Sequence, residues 1–202
     1  MHQCDSTATV TIDGAHLTLE SFIRVARDGA RVDICPQAVQ RMQRSREVVE
    51  DIIRSGRPAY GINTGFGDFS RISISEEDAS LLQNNLILSH STAMGSPFPR
   101  EVVRGMLLLR ANALCGGYSG IRPEIVRTMA DMLNLGVHPV VPEKGSLGAS
   151  GDLAPLSHMA LVLLGLGEAD YNGQRMPGGE AMKRAGLPTY SLLAKEGLAL
   201  IN

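Results

Sequence analysis

Three consecutive residues, Ala149-Ser150-Gly151, can make an electrophile from the protein backbone. If the amide nitrogen of Gly151 attacks the carbonyl carbon of Ala149, a ring closes, and loss of two waters leaves an exocyclic C=CH2 group where Ser150 carried its hydroxyl. Gly151 is small and tolerates unusual backbone dihedral angles. Ala149 leaves its carbonyl open to attack, and Ser150 supplies the hydroxyl that is eliminated. A bare Ala-Ser-Gly is most commonly a turn before a helix, so the flanking residues must decide between the two interpretations.

The flanking residues extend the triplet to residues 145–156, with the sequence GSLGASGDLAPL. This stretch resembles the 4-methylideneimidazole-5-one (MIO) signature of the aromatic amino acid ammonia-lyases and aminomutases. The resemblance favours ring formation over a plain turn. It implies a MIO group made from Ala149, Ser150 and Gly151, with no metal and no dissociable cofactor.

A second motif, residues 60–67 (YGINTGFG), has three glycines that allow the backbone to approach a ligand closely. Alone, it would be interpreted as a structural loop with a packing tyrosine. It resembles the inner loop of the same family, in which the tyrosine is the catalytic base that removes the substrate's β-proton, and this implies that role for Tyr60. A phenol serves as a base near neutral pH only where positive potential, such as that of helix N-termini, stabilises its phenolate.

The pair Ser89-His90 ends an apolar stretch that is predicted to be helical. A histidine at such a place is most commonly a core or capping residue. In the family, however, this pair lies where the substrate side chain is bound, and Ser-His resembles the histidine ammonia-lyases. Tyrosine lyases tend to carry His-Leu there and phenylalanine lyases Phe-Leu. A polar pocket suits an imidazole because a buried polar group needs a partner. Some tyrosine aminomutases also carry Ser-His, so that alternative stays open.

Residues 196–202 (EGLALIN) resemble the family segment whose asparagine contacts the prosthetic group and the substrate, which implies substrate binding by Asn202. Family chains continue with Gly-Thr and are much longer. We therefore expect this chain to be truncated, split or cleaved, with the substrate-carboxylate arginine and a catalytic glutamate outside it. His158, which follows the MIO motif, is interpreted as a packing or supporting residue.

Composition restricts the class of protein. The net charge is −2, charged residues make up 20% and no basic block is present, so nothing points to nucleic acid or an acidic membrane surface. No apolar stretch is long enough to span a bilayer, and no signal peptide is visible. Three scattered cysteines suit a reducing compartment. We expect a cytoplasmic protein.

Many leucines and alanines and nine methionines favour helix packing over a β-sandwich core. Hydrophobic spacing and capping signals predict a short strand and a hairpin turn among helices. The predicted strand covers residues 9–12, the predicted turn covers 171–174, and the predicted helices cover 17–27, 36–54, 75–93, 99–114, 123–135, 152–166 and the stretch from 191 onward.

The resemblance implies a mainly α fold, with residues 1–202 forming the N-terminal MIO-bearing domain of the fumarase/aspartase-like ammonia-lyase fold and the long-helix bundle largely missing. It further implies a homotetramer that eliminates ammonia from L-histidine to give trans-urocanate. Two alternatives remain open. One is another MIO enzyme, either a tyrosine aminomutase or an aromatic amino acid ammonia-lyase. The other is an inactive fragment that acts at most as a structural module.

Overall fold

The computed structural model describes residues 9–65, 74–147 and 151–202, and most of the regular structure in these ranges is helical, as predicted. The eight helices of the described residues are α1 (Leu19–Ala26), α2 (Pro36–Ser55), α3 (Glu76–His90), α4 (Arg100–Cys115), α5 (Pro123–Leu135), α6 (Leu153–Leu163), α7 (Gly178–Arg184) and α8 (Glu196–Ile201). The strands are β1 (Val10–Ile12), β2 (Val32–Ile34), β3 (Met94–Pro97), β4 (His138–Pro139), β5 (Pro142–Lys144), β6 (Glu168–Tyr171) and β7 (Gln174–Pro177).

Helix α4 lies at the centre of the fold and contacts α1, α2, α5 and α6. Its side chains Leu107, Leu108 and Ala111 are fully buried, and burial of each leucine stabilises the fold by about 1.5–3 kcal/mol. Helix α1 approaches α4 closely because Gly105 has no side chain. A Cβ atom at Gly105 would lie 2.8 Å from Cζ of Phe22. A larger residue at this position would therefore push Phe22 and α1 away from the core.

The strands form three small sheets. Strands β1 and β2 pair in parallel, with Val10 opposite Val32. The Asn134 side chain of α5 bonds both backbone groups of Val32, at 2.8 Å and 2.9 Å, and so joins this sheet to the helices. Strand β3 pairs antiparallel with β5, and β6 lies between β4 and β7 in an antiparallel sheet.

Local sequence signals end several elements where they were predicted to end. Gly56 and Gly136 follow α2 and α5 with φ values of 64° and 78°, the left-handed conformation that commonly ends a helix. Asn172 and Gly173, with φ of 50° and 76°, form the tight turn between β6 and β7. The predicted helix ends and hairpin are therefore confirmed.

Three helix boundaries differ from the prediction by three residues or more, and α7 was not predicted. Helix α6 ends at Leu163 rather than near residue 166. Helix α3 ends at His90 rather than near residue 93, because the N–H of Ala93 donates to Nε2 of His158 on α6. The last helix begins at Glu196 rather than near residue 191, because Lys195 has a φ of 77°. Periodicity reveals neither the long-range bond between Ala93 and His158 nor the left-handed backbone of Lys195.

The guanidinium of Arg104 on α4 is buried and joins three distant parts of the chain. It donates to the carbonyl oxygens of Val25 and Leu133, each at 2.9 Å, and to Nε2 of His138 at 3.1 Å. Val25 lies in the last turn of α1 and Leu133 in the last turn of α5, so two negative helix ends face this cation. Arg104 thereby fixes α1, α5 and β4 around α4.

No helix among residues 9–65, 74–147 and 151–202 combines the length and the apolar character needed to cross a membrane.

The contact between Arg104 and His138 predicts that the fold loses stability in mild acid. Burial, followed by the charges of Arg100 and Arg104, lowers the pKa of His138 from 6.5 to about 4. The unfolded state therefore binds the histidine proton first as pH falls, and the free energy of unfolding should drop by up to about 2 kcal/mol from about pH 7.5 to about pH 5.

Urea denaturation at the two pH values measures this effect. The matched variant is His138→Gln, which keeps a hydrogen-bond acceptor for Arg104 but does not titrate. It should show a smaller pH dependence than the parent chain. Equal pH dependence in both proteins would contradict the assignment.

Candidate active site

The described residues directly before α6 bond to one another from both sides of residues 148–150. The N–H of Leu147 donates to the carbonyl oxygen of Gly151 at 3.0 Å, and the hydroxyl of Ser146 donates to the same oxygen. Ser146 Oγ also donates to Oδ1 of Asp152 at 3.1 Å. These bonds hold Ser146 and Leu147 next to Gly151 at the start of α6.

Gly151 has a φ of 33°, a left-handed conformation that is strained for any residue with a side chain. Its carbonyl oxygen accepts two hydrogen bonds, which fixes the orientation of the peptide unit that follows it. The backbone at this position therefore requires glycine, independently of any ring chemistry. Ala149 and Ser150, the other two predicted ring residues, lie outside the described residues.

Asp152 is the N-cap residue of α6, but its side chain makes no hydrogen bond that caps the helix. The carboxylate accepts the hydroxyl of Ser146 and leaves the first-turn N–H groups without a side-chain acceptor. The positive end of α6 is consequently free of a side-chain cap, next to the Gly151 loop.

The start of α6 and the end of α3 are held together at Gly145 and His158. A Cβ atom at Gly145 would lie 2.6 Å from Cβ of Ala93 and 3.2 Å from Cβ of Ala154. The N–H of Ala93 donates to Nε2 of His158 at 3.1 Å, and burial lowers the pKa of His158. The bond requires an unprotonated Nε2, which a neutral imidazole ring with its hydrogen on Nδ1 provides. His158 thus supports the loop from α6.

Ser89 and His90 are the last two residues of α3, and their side chains contact each other. Ser89 Oγ lies 3.1 Å from Nδ1 of His90, and the carbonyl oxygen of Leu86 lies 2.9 Å from the same nitrogen. Because a carbonyl only accepts, Nδ1 carries the hydrogen in the neutral ring. Nε2 then presents a lone pair, and no described residue donates to it. The half-buried His90 is thus oriented as a hydrogen-bond acceptor.

Tyr60 begins a loop that is braced by Asn63. The Asn63 side chain accepts from the N–H of Ala59 at 2.8 Å and donates to the carbonyl oxygen of Arg57 at 2.9 Å. The carbonyl oxygen of Asn63 accepts from the N–H of Ile74 at 3.0 Å, which attaches the loop just before α3. The Tyr60 side chain is 61% exposed. The phenol is therefore presented from a fixed loop to the surface.

Asn202 follows α8 and is exposed. Arg110 of α4 donates to the carbonyl oxygens of Ala199 and, at 2.6 Å, Asn202, so a cation sits at the negative end of α8. At the other end, Gly197 allows close contact with α3, since a Cβ there would lie 2.6 Å from the carbonyl oxygen of Gln83. The backbone that carries Asn202 is therefore fixed from both α3 and α4.

Three of the predicted features lie at the ends of helices that pack against one another, α3, α6 and α8. Ser89-His90 ends α3, Gly151 precedes α6, and Asn202 follows α8. The Tyr60 loop is attached at the opposite end of α3, which is about 22 Å long. The described contacts thus join the first three features through one helix cluster and do not join the Tyr60 loop to the Ser89-His90 pair. Among the described residues, no group of three or more His, Cys, Asp or Glu side chains is arranged to hold a metal ion.

The match to a known family follows the same stretch of chain as these features. The family model of aromatic amino acid lyases matches residues 17–202. The chain belongs to the aromatic amino acid lyase family. The predicted recognition and the mainly α fold class are thereby confirmed.

Named relatives of this lyase cover almost the whole chain. A histidine ammonia-lyase from Caldanaerobacter subterraneus subsp. tengcongensis is 58% identical over 193 residues, which are 96% of this chain and 38% of the relative. The histidine ammonia-lyase of Trypanosoma cruzi matches with a TM-score of 0.88 and 40% identity, over 96% of this chain and 38% of that chain. A tyrosine aminomutase from Streptomyces globisporus matches with a TM-score of 0.88 and 36% identity, over 96% and 36%. The lyase chain therefore spans less than two fifths of the length of these relatives.

The sequence motifs gave no role to Glu196, a fully buried carboxylate at the start of α8 in this lyase. Its Oε1 accepts from Nε of Arg122 and its Oε2 from Nη2 of Arg122, both at 2.7 Å. Oε2 also accepts from the N–H of Leu193 at 2.8 Å, and Nη1 of Arg46 lies 4.0 Å from Oε1. An acid within an otherwise apolar helix was the signal that could have identified it. Glu196 anchors the helix that leads to Asn202.

Replacement of Glu196 by glutamine should destabilise the lyase strongly. The amide would turn a donor toward Arg122 or Leu193 and would leave buried cations without their carboxylate, at a cost of about 3–5 kcal/mol. Urea denaturation measures the loss. The control is Glu180→Gln, which removes an exposed pair with Arg184 on α7 and should cost less than about 1 kcal/mol. Similar losses in the two variants would show that Glu196 is no anchor.

Proposed function

We propose that the protein acts in a histidine ammonia-lyase, which eliminates ammonia from L-histidine to give trans-urocanate. The observation that carries the proposal is the closed loop around Gly151, bonded from Leu147 and Ser146 and backed by Gly145. The 58% identity between this chain and the Caldanaerobacter histidine ammonia-lyase supports histidine as the substrate.

The loop fits the formation of an MIO group from Ala149, Ser150 and Gly151. Ring closure brings the Gly151 nitrogen to the Ala149 carbonyl, and such compression persists only where the surrounding structure enforces it. The Leu147–Gly151 hydrogen bond and the left-handed Gly151 support such a constraint. When formed, the group supplies an electrophilic methylidene for the substrate amine. No metal or dissociable cofactor is part of the proposal.

The chain's own residues would handle the proton and the charge. Tyr60 takes the β-proton as a general base, so that the Cβ–H bond breaks while the Cα–N bond is released and a double bond forms. The uncapped N–H groups at the start of α6 stabilise negative charge beside the loop. Asn202 binds the substrate from the end of α8, which Arg110 and Glu196 hold in place.

Ser89 and His90 would bind the substrate side chain. The lone pair on Nε2 of His90 accepts a hydrogen bond from an imidazole N–H, which is absent from a phenyl ring. A phenol could also donate to this nitrogen, and the similarity to the Streptomyces tyrosine aminomutase keeps that second candidate in view. Histidine is preferred because the relative with 58% identity is a histidine ammonia-lyase.

The proposal extends to the context of the chain. Because the chain spans 38% of the length of that relative, we expect residues 1–202 to be the N-terminal MIO-bearing domain and to be inactive alone. The working enzyme would be a cytoplasmic homotetramer in which other segments complete the site.

Ser150→Ala and Tyr60→Phe separate the formation of the electrophile from its use. The enzyme for the test is this chain joined to the remaining part of the Caldanaerobacter relative. Ser150→Ala has no hydroxyl to eliminate, so it should lack both turnover and the mass deficit of about 36 Da that two lost waters produce. Tyr60→Phe should keep the deficit and lose at least about 10²-fold in turnover.

Intact mass spectrometry and urocanate absorbance provide the two measurements. Near-normal turnover in Ser150→Ala would refute the MIO group, and unchanged turnover in Tyr60→Phe would move the base to another residue. Histidine turnover in the isolated 202-residue chain would contradict its proposed inactivity.

The substrate assignment predicts the result of exchanging Ser89-His90 for His-Leu in the same joined enzyme. Loss of the His90 acceptor should lower kcat/KM for histidine by at least about tenfold, the effect of one hydrogen bond lost to a polar group. Tyrosine and phenylalanine serve as comparison substrates, and β-amino acid products would indicate an aminomutase. Unchanged histidine kinetics would show that the pair does not contact the substrate.

A further inference from the structure

A cavity of about 300 Å³ lies between the start of α4, strand β4 and the β6–β7 hairpin, in a part of the fold that the proposed reaction does not use. Its polar walls include Arg100, His138 and Asp170, and its apolar walls include Phe98 and Val103. We propose that this cavity is a binding site for a small oxyanion, a carboxylate or a phosphate group.

His138 supplies a hydrogen-bond donor for which no described residue is an acceptor. Its side chain is only 7% exposed and lines the cavity. Nε2 accepts from Arg104 at 3.1 Å, and a guanidinium can only donate, so the hydrogen of the neutral ring lies on Nδ1. No described residue accepts from Nδ1. An anion in the cavity would accept a hydrogen bond from this N–H.

Arg100 supplies an exposed cation that lines the cavity. It is the first residue of α4, it is exposed, and no described carboxylate or carbonyl bonds its guanidinium. The planar fork of an arginine fits the two oxygens of a carboxylate or phosphate. Arg100 can therefore cover an anion that His138 binds from below.

The charges around the cavity also favour an anion. Arg104 is a second cation, and unlike Arg100 it is buried. Its described partners are carbonyl oxygens and a neutral histidine rather than carboxylates. Asp170 faces the cavity, but both of its oxygens are bonded by Arg175, at 3.0 Å and 3.1 Å, which offsets its charge. Pro99, the N-cap of α4, provides no side-chain cap, so the positive end of a sixteen-residue helix is also present.

Titration of the 202-residue chain with phosphate and with acetate, against chloride at equal ionic strength, tests the site. Isothermal calorimetry and the thermal unfolding midpoint provide the measurements. At least one of the two oxyanions should bind saturably and raise the midpoint above the chloride control, and the preferred probe identifies the ligand class. Absence of saturable binding by both would overturn the proposal.

Three single variants link binding to this cavity. Arg100→Gln should weaken binding at least about tenfold through loss of a charged bond. Asp170→Asn should tighten it about two- to fivefold, because a nearby carboxylate is removed. Arg44→Gln removes an exposed arginine from α2 and should change nothing. Equal affinity in the Arg100 and Arg44 variants would place the anion elsewhere and refute the site.

Discussion

The guanidinium of Arg104 is the interaction on which the arrangement of α1, α4, α5 and β4 depends. It is buried because α4 is surrounded by other elements, and a buried cation is costly unless it is hydrogen-bonded. Its Nε and Nη1 have acceptors, whereas its Nη2 has none among the described residues. Its acceptors are the last turns of α1 and α5 and the ring of His138. One charge thus fixes two helix ends, selects the tautomer of His138 and positions β4. Strand β4 in turn pairs with β6 of the β6–β7 hairpin.

A second buried charge has the opposite sign and organises the other side of the fold. At the start of α8, Glu196 contacts two cations: Arg122, which directly precedes α5, and Arg46 of α2. Arg110 then holds the far end of the same short helix. A helix of six residues has little stability of its own, so these ionic contacts, together with packing on α3 and α6, determine where its last residue points. Both halves of the fold therefore use buried ions to fix the ends of helices rather than their middles.

Sequence alone predicted the elements whose limits are local. The backbone is left-handed at Gly56, at Gly136 and in the Asn172-Gly173 turn. Glycine and asparagine adopt this conformation most readily, so their presence in the sequence indicates it. The sequence did not predict β2 or β3, because each is a short strand whose partner is distant in the chain. It also did not predict the early end of α3, where His158 accepts a hydrogen bond from the N–H of Ala93. The motifs selected Gly151 and His90 as candidate site residues, but they did not reveal the bond between Asp152 and Ser146 or the buried contacts of Glu196. Those depend on which polar groups meet after the helices have packed.

The loop that ends at Gly151 has one further consequence. It is closed by Ser146 and Leu147, and its corner at Gly145 is pressed against Ala93, which His158 secures from α6. The described residues on either side of 148–150 are therefore fixed only after α3 and α6 have docked. A covalent change inside the loop would then be a permanent record that docking had occurred. The lower mass of such a molecule would show that it had once been folded, even after later denaturation.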